Sequence, residues 1–159
     1  MKYAEIGSIS HGTLRAEDLI TTFVCTLECL IADGNNGNAG AYSAPMHRAN
    51  ELEVDPDTFD YVDPDLAGEV MSTLIDALSD FAPPYCYFGT LEGDGAEFGF
   101  WVHSEFQQAM REDGVLEVGD LADIPADYIG EVLLVNDHGN ATFGYQDHAG
   151  SFATVWSIV

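Results

Sequence analysis

Cys25 and Cys29 stand four residues apart. On a helix that spacing is about one turn, and it would bring two thiolates to one metal ion. A tetrahedral zinc site needs two more ligands, yet the sequence holds no second cysteine pair and no closely spaced histidine pair; Cys86 is the remaining cysteine. Free cysteine commonly packs as a small hydrophobe, and that is the expectation here, on a helix packed on two sides. Asp55, Asp57 and Asp60, or Glu92, Asp94 and Glu97, offer oxygen ligands to calcium, but neither set has the helix–loop–helix calcium spacing with its closing Glu. His11, His47, His103, His138 and His148 are scattered. His138 follows Asp137 in DHGN, a tight turn whose neighbours point apart. No Gly-x-Ser-x-Gly, phosphate loop or His-Glu-x-x-His occurs, and no carboxylate pair for glycoside chemistry stands out from 28 acids. The expectation is a protein that is not an enzyme and carries no cofactor and no metal.

The elements that position these residues begin with an aromatic-rich stretch, Phe81 to His103, which reads as a β-hairpin. Its strands are expected at Tyr85 to Thr90 and Phe98 to Val102, with Gly93-Asp94-Gly95 as the turn. Tyr85, Tyr87, Phe88, Phe98, Phe100 and Trp101 alternate along it, so core packing is the better reading, with some rings left outward to anchor a partner. Tyr3 to Ser10 is weakly strand-like. Leu19, Ile20, Phe23, Val24, Leu27, Leu30 and Ile31 recur at helical spacing and predict a helix over 16–32, with Cys25 and Cys29 on its other side. Residues 33–43, DGNNGNAGAYS, read as a mobile loop. ELEVDPDTFDYVDPD, residues 51–65, is acidic, and its two Asp-Pro steps favour extended or turning backbone. Asp63 is placed to cap a second helix, 64–80, with Pro64 at its first position. A short helix follows at 103–112, then a loop-rich stretch at 115–128. The hairpin 131–145, turning at Asp137 to Asn140, and a C-terminal strand from Ser151 complete the chain. The fold class is α+β: one domain over 1–159, with an antiparallel sheet (hairpins 85–102 and 131–145 plus the last strand) packed on the two main helices.

The dominant compositional feature is charge. The chain of 159 residues has 28 Asp and Glu against four Lys and Arg, a formal net charge of -24. A hydrophobic content of 47% still argues for a folded globule. Between Glu51 and Asp147, 23 acids face one base, Arg111. Direct binding to nucleic acid or to an anionic membrane is excluded on this ground, because both require clustered Lys and Arg. An odd number of cysteines and an N-terminus without an apolar signal core point to a reducing cytoplasm, and no apolar run reaches a membrane span.

Three segments, GTLRAEDLI, PPYCYFGTLEGDGAEFGFW and VNDHGN, resemble recurring blocks of small uncharacterised proteins carried by phages and plasmids. The resemblance spans the first helix and the C-terminal half. It implies a mobile-element setting and assigns no activity and no functional residue.

The acids have their own pattern. Asp65, Glu69, Asp76 and Asp80 fall within about 60° of one another around the second helix, a stripe about 22 Å long. Glu51, Glu53, Asp55, Asp57 and Asp60 precede it. Solvation alone is the ordinary reading of such a face, but here almost no base compensates it. The expected partner is a basic nucleic-acid-binding protein or complex of the host, of the anti-CRISPR or antirestriction type, its binding surface occupied by these carboxylates. Halophilic acidity and a small cytoplasmic enzyme are the competing readings.

Overall fold

The computed structural model describes residues 3–33 and 39–159. The fold is α+β, and the chain divides into two compact units, Met1–Ala82 with Cys86–Trp101, and Pro83–Tyr85 with Val102–Val159.

In the first unit the apolar stripe of helix α1 (Ala16–Ala32) buries Leu19, Ile20, Phe23 and Leu27. Thr13 shapes its approach: the Thr13 hydroxyl accepts from the Arg15 amide and donates to Asp18. Helix α3 (Pro64–Ser79) starts as its sequence dictates, with the Asp63 carboxylate accepting from the Leu66 amide at 2.9 Å and Pro64 in the first turn. It packs Ala67, Val70, Leu74, Ala77 and Leu78 into the core shared with α1. Phe23 sits at the centre, fully buried, its ring edge-on to Phe88 and Phe98 at 5.3 Å each. Truncating a ring so enclosed costs about 3–5 kcal/mol.

Against these helices lies a three-stranded antiparallel sheet in the order β1–β3–β2, from strands β1 (Gly7–Ser10), β2 (Cys86–Leu91) and β3 (Asp94–Val102). The hairpin turn is tighter than the sequence suggests. Asp94 and Gly95 already belong to β3, and Glu92-Gly93 alone make the connection, Gly93 taking φ +92°. Cross-strand pairing overrides the turn propensity of the Gly-Asp-Gly triplet. Strand β1 takes the open edge of β3, and the backbones approach so closely that a Cβ at Gly99 would strike the Gly7 carbonyl.

The expected loop at 33–43 is corrected where it is described. Residues 34–38 lie outside the described residues, but Ala39–Tyr42 form a 3-10 turn and Ser43 opens helix α2 (Ser43–Asn50). Residues 51–62 run out and back as a short ribbon. Val54 bridges Tyr61, and the Asp55 amide donates to the Asp60 carbonyl at 2.8 Å.

The second unit is built on a four-stranded mixed sheet in the order β4–β5–β6–β7, from β4 (Leu116–Val118), β5 (Gly130–Val135), β6 (Ala141–Gln146) and β7 (Phe152–Ile158). The single antiparallel sheet expected from the sequence is therefore two sheets, and the second contains a parallel pair, β4 with β5. The stretch 115–128 supplies that strand and a 3-10 turn, Leu121–Asp123, capped by Asp120. Helix α4 (Phe106–Asp113) is ended by Gly114 in the left-handed conformation and delivers the chain to β4. Arg111 braces the join through two hydrogen bonds to the Glu117 carboxylate. Val132, Leu133, Phe143, Met110 and Trp156 are buried, and the Trp156 indole donates to the Pro84 carbonyl at 2.9 Å. Among the described residues no helix is long and apolar enough to cross a membrane.

Candidate partner-binding surface

On α3 and its C-cap residue, Asp65, Glu69, Asp76 and Asp80 are all exposed, on the side away from Val70, Leu74 and Leu78. Helix α2, which the sequence reading leaves out, runs beside this stripe. Arg48 reaches Glu69 at 3.3 Å, and the Tyr42 hydroxyl donates to Asp80 at 3.2 Å. Glu69 and Asp80 are thus partly engaged within the fold. Asp65 and Asp76 have no side-chain hydrogen bond or ion pair among the described residues. Burial raises the pKa of the Tyr42 phenol, and Asp80 adds to the effect, so Tyr42 is held as a neutral donor.

The second group of acids is fastened elsewhere. Glu51 closes α2, 3.4 Å from His47. Glu53, Asp57 and Asp60 are exposed, whereas Asp55 is half-buried because its carboxylate accepts from the Asp57 and Thr58 amides and shapes the turn. The ribbon is clamped onto the start of α1. The Arg15 guanidinium donates to the Phe59 carbonyl and to Asp60, both at 3.1 Å, and the Glu17 carboxylate accepts from the Tyr61 amide at 2.8 Å. Exposed ion pairs of this kind contribute about 0–1 kcal/mol each, so they orient the ribbon more than they stabilise the unit.

The three arginines are therefore all committed to carboxylates: Arg15 to Glu17 and Asp60, Arg48 to Glu69, Arg111 to Glu117. Between Glu51 and Asp80, the side chains of Glu53, Asp57, Asp65 and Asp76 are left to water on elements whose backbones are fixed by hydrogen bonds.

The candidate chemical groups fall otherwise. Cys25 and Cys29 are exposed, which corrects the expectation that they pack as small hydrophobes; the face of α1 opposite its buried stripe is open to solvent there. Cys86 is half-buried, and burial pushes its thiol up to about 12, leaving it a poor nucleophile. No group of three or more His, Cys, Asp or Glu among the described residues is placed to hold a metal ion. Asp94 is the first residue of β3, and its carboxylate accepts from the Ala96 amide. In DHGN the His138 amide donates to the Asn136 side chain, and Asn136 also receives the Asn140 amide. Of the six aromatics in the central hairpin, Phe88, Phe98 and Phe100 are core; Trp101 donates to the Gly89 carbonyl and Tyr87 to the Thr90 carbonyl. Tyr85 stacks edge-on to Phe143 at 5.4 Å and donates to Asp113 at 3.0 Å.

Sequence reasoning passed over Phe59. It is 67% exposed at the tip of the ribbon, with φ +61°. Its signal was a large aromatic inside DPDTFDY, a run otherwise made of acids and turn formers. Compared with protein-family models, with curated proteins and with solved structures, the chain matches none.

Proposed function

We propose that this protein is an acidic mimic of nucleic acid that occupies the DNA- or RNA-binding surface of a basic host protein, in a mobile-element setting a defence nuclease or an RNA-guided surveillance complex. It acts in the host cytoplasm by occupancy and performs no catalysis. The observation that carries this reading is the commitment of Arg15, Arg48 and Arg111 to local carboxylates, while Glu53, Asp57, Asp65 and Asp76 stay exposed on fixed backbone. Duplex DNA carries one charge per about 1.7 Å of axis. Carboxylates at four-residue steps on a helix repeat about every 6 Å, a sparser array that a basic groove still receives by releasing its own counterions.

An occupant works in stoichiometric amounts, and nucleic acid competes with it. The test is a titration of the protein against a fixed amount of each of a panel of purified restriction nucleases and RNA-guided nucleases. Each titration is followed by separation of the two and a second activity assay. Inhibition of at least one panel member that saturates near molar equivalence and reverses on separation is the expected result. Complete inhibition at about one part in a hundred that survives separation would indicate an enzyme that modifies its target. Inhibition of none of the panel, together with no salt-sensitive capture of basic nucleic-acid-binding proteins from host extract, would remove the reading.

A further inference from the structure

Phe59 is a large apolar side chain in a backbone region that bulky residues rarely hold. Its amide donates to the Asp55 carbonyl at 2.8 Å, its carbonyl accepts from Arg15 at 3.1 Å, and below the tip the ribbon is closed by the Val54–Tyr61 bridge and by the Val62 amide on the Glu53 carbonyl at 2.9 Å. The ring is thus displayed on an over-determined tip. Acids stand close to it in the chain: Asp57, two residues before it, and Asp60, next to it, are both exposed, Asp60 being paired with Arg15.

An aromatic plane between anionic groups is the chemistry of an unstacked nucleotide, a base between phosphates. Grooves that bind single strands meet it with cationic side chains along the backbone and an aromatic platform on which the base stacks; a groove that reads an intact duplex has no slot for a protruding ring. We propose that Phe59 stands in for an unstacked base, and that the ribbon at 53–62 docks into a single-strand-binding groove of a basic protein, the ring on its stacking platform and the carboxylates on its phosphate sites. The proposal rests on the charge reading above and narrows the partner from any basic groove to this class.

Two probes separate the two readings: an OB-fold single-stranded-DNA-binding protein loaded with fluorescent oligo(dT), and a helix-turn-helix repressor on labelled operator duplex. The wild-type protein displaces oligo(dT), and Phe59→Ala does so about 5- to 150-fold more weakly, the ratio that one stacked base represents. Phe59→Trp restores displacement, and the duplex probe is indifferent to all three. Phe59→Gly controls for folding, because glycine accepts a positive φ: it melts no lower than wild type and still loses displacement of oligo(dT). Displacement of oligo(dT) unchanged in Phe59→Ala, an equal loss on both probes, or displacement of the duplex alone overturns the stacking role and leaves the charge reading standing. Displacement of neither probe overturns the stacking role, and the charge reading then stands or falls on the nuclease titration and the capture from extract.

Discussion

Cys86 and Tyr85 are neighbours in the chain whose protonation responds to burial in the same direction. Burial raises the Cys86 thiol from its ordinary 9.0 to about 12. Burial, then the hydrogen bond to Asp113 and the charges of Asp113 and Glu131, raise the Tyr85 phenol from 10.0 to about 12. Both folded-state values lie above the unfolded ones, so folding favours both neutral forms. Their contribution to stability is complete below about pH 9 for the thiol and about pH 10 for the phenol, and it is lost as pH rises toward about 12. Urea midpoints taken from about pH 8 to about pH 11 should therefore fall, and Tyr85→Phe should flatten the upper part of that fall while lowering the midpoint at about pH 8 through the lost hydrogen bond. A curve for Tyr85→Phe parallel to wild type above about pH 10 would show that the phenol carries none of the alkaline loss. The exposure of Cys25 and Cys29 gives a second residue-scale test. Ellman's reagent on the native protein should modify these two rapidly, with Cys86 reacting only on unfolding.

At the scale of elements, α3 carries both the clearest folding signal and the proposed surface. Asp63→Ala removes the carboxylate that accepts from Leu66, and should cost about 1 kcal/mol, read as a lower urea midpoint with an unchanged slope. The acids of its exposed face divide by what they touch. Asp65→Asn with Asp76→Asn should weaken partner binding and its salt dependence at little cost to the melt, since neither carboxylate has a side-chain partner among the described residues and only Asp65, in the first turn of α3, contributes to the helix, by about 0.3–1 kcal/mol. Glu69→Gln with Asp80→Asn should weaken binding too, but at a small loss of stability, because Arg48 loses its ion pair and Tyr42 a charged acceptor for a neutral one. Unchanged affinity in all four substitutions together, with an intact melt, would take α3 out of the interface and leave the ribbon. Helices α1 and α3 were legible in the sequence because a full apolar stripe or a cap-and-proline start fixes them locally. Helix α2 was not: SAPMHRAN has Pro45 in its first turn and too few apolar residues to show a period, and tertiary contacts with α1 and α3 make it a helix. Strand β4 is three residues long, too short for alternation to register, and its pairing with β5 is a parallel one that nothing local to either segment encodes. The acidic candidates were readable as types, but which of them are engaged depended on Arg48, Arg15 and Tyr42, residues distant in sequence from the acids they meet.

At the scale of the whole molecule the question is how a chain with a net charge of -24 stays folded. Few bases mean little attraction to offset repulsion, and the ion pairs present are exposed and weak. The opposing contribution is apolar. The first unit encloses Phe23, Leu27, Leu74, Leu78 and Phe100 almost completely, and the second does the same for Val132, Leu133 and Phe143. Burial of one such side chain is worth about 1.5–3 kcal/mol, larger than any single exposed charge contact, and it does not require salt. Carboxylates on the surface repel over distances comparable to the Debye length, about 10 Å at 0.1 M salt, so moderate salt removes most of that cost. The expected behaviour is cooperative unfolding already in dilute buffer, with a melting temperature that rises as salt is added to roughly 0.1–0.2 M and then levels. A halophilic protein behaves differently, gaining its fold only in molar salt. Thermal melts across that range of salt decide between them. Absence of a cooperative transition below molar salt would show that the acids serve hydration in brine, and the proposed mimicry would lose its premise. A transition in dilute buffer leaves the charge available for a basic partner at ordinary ionic strength.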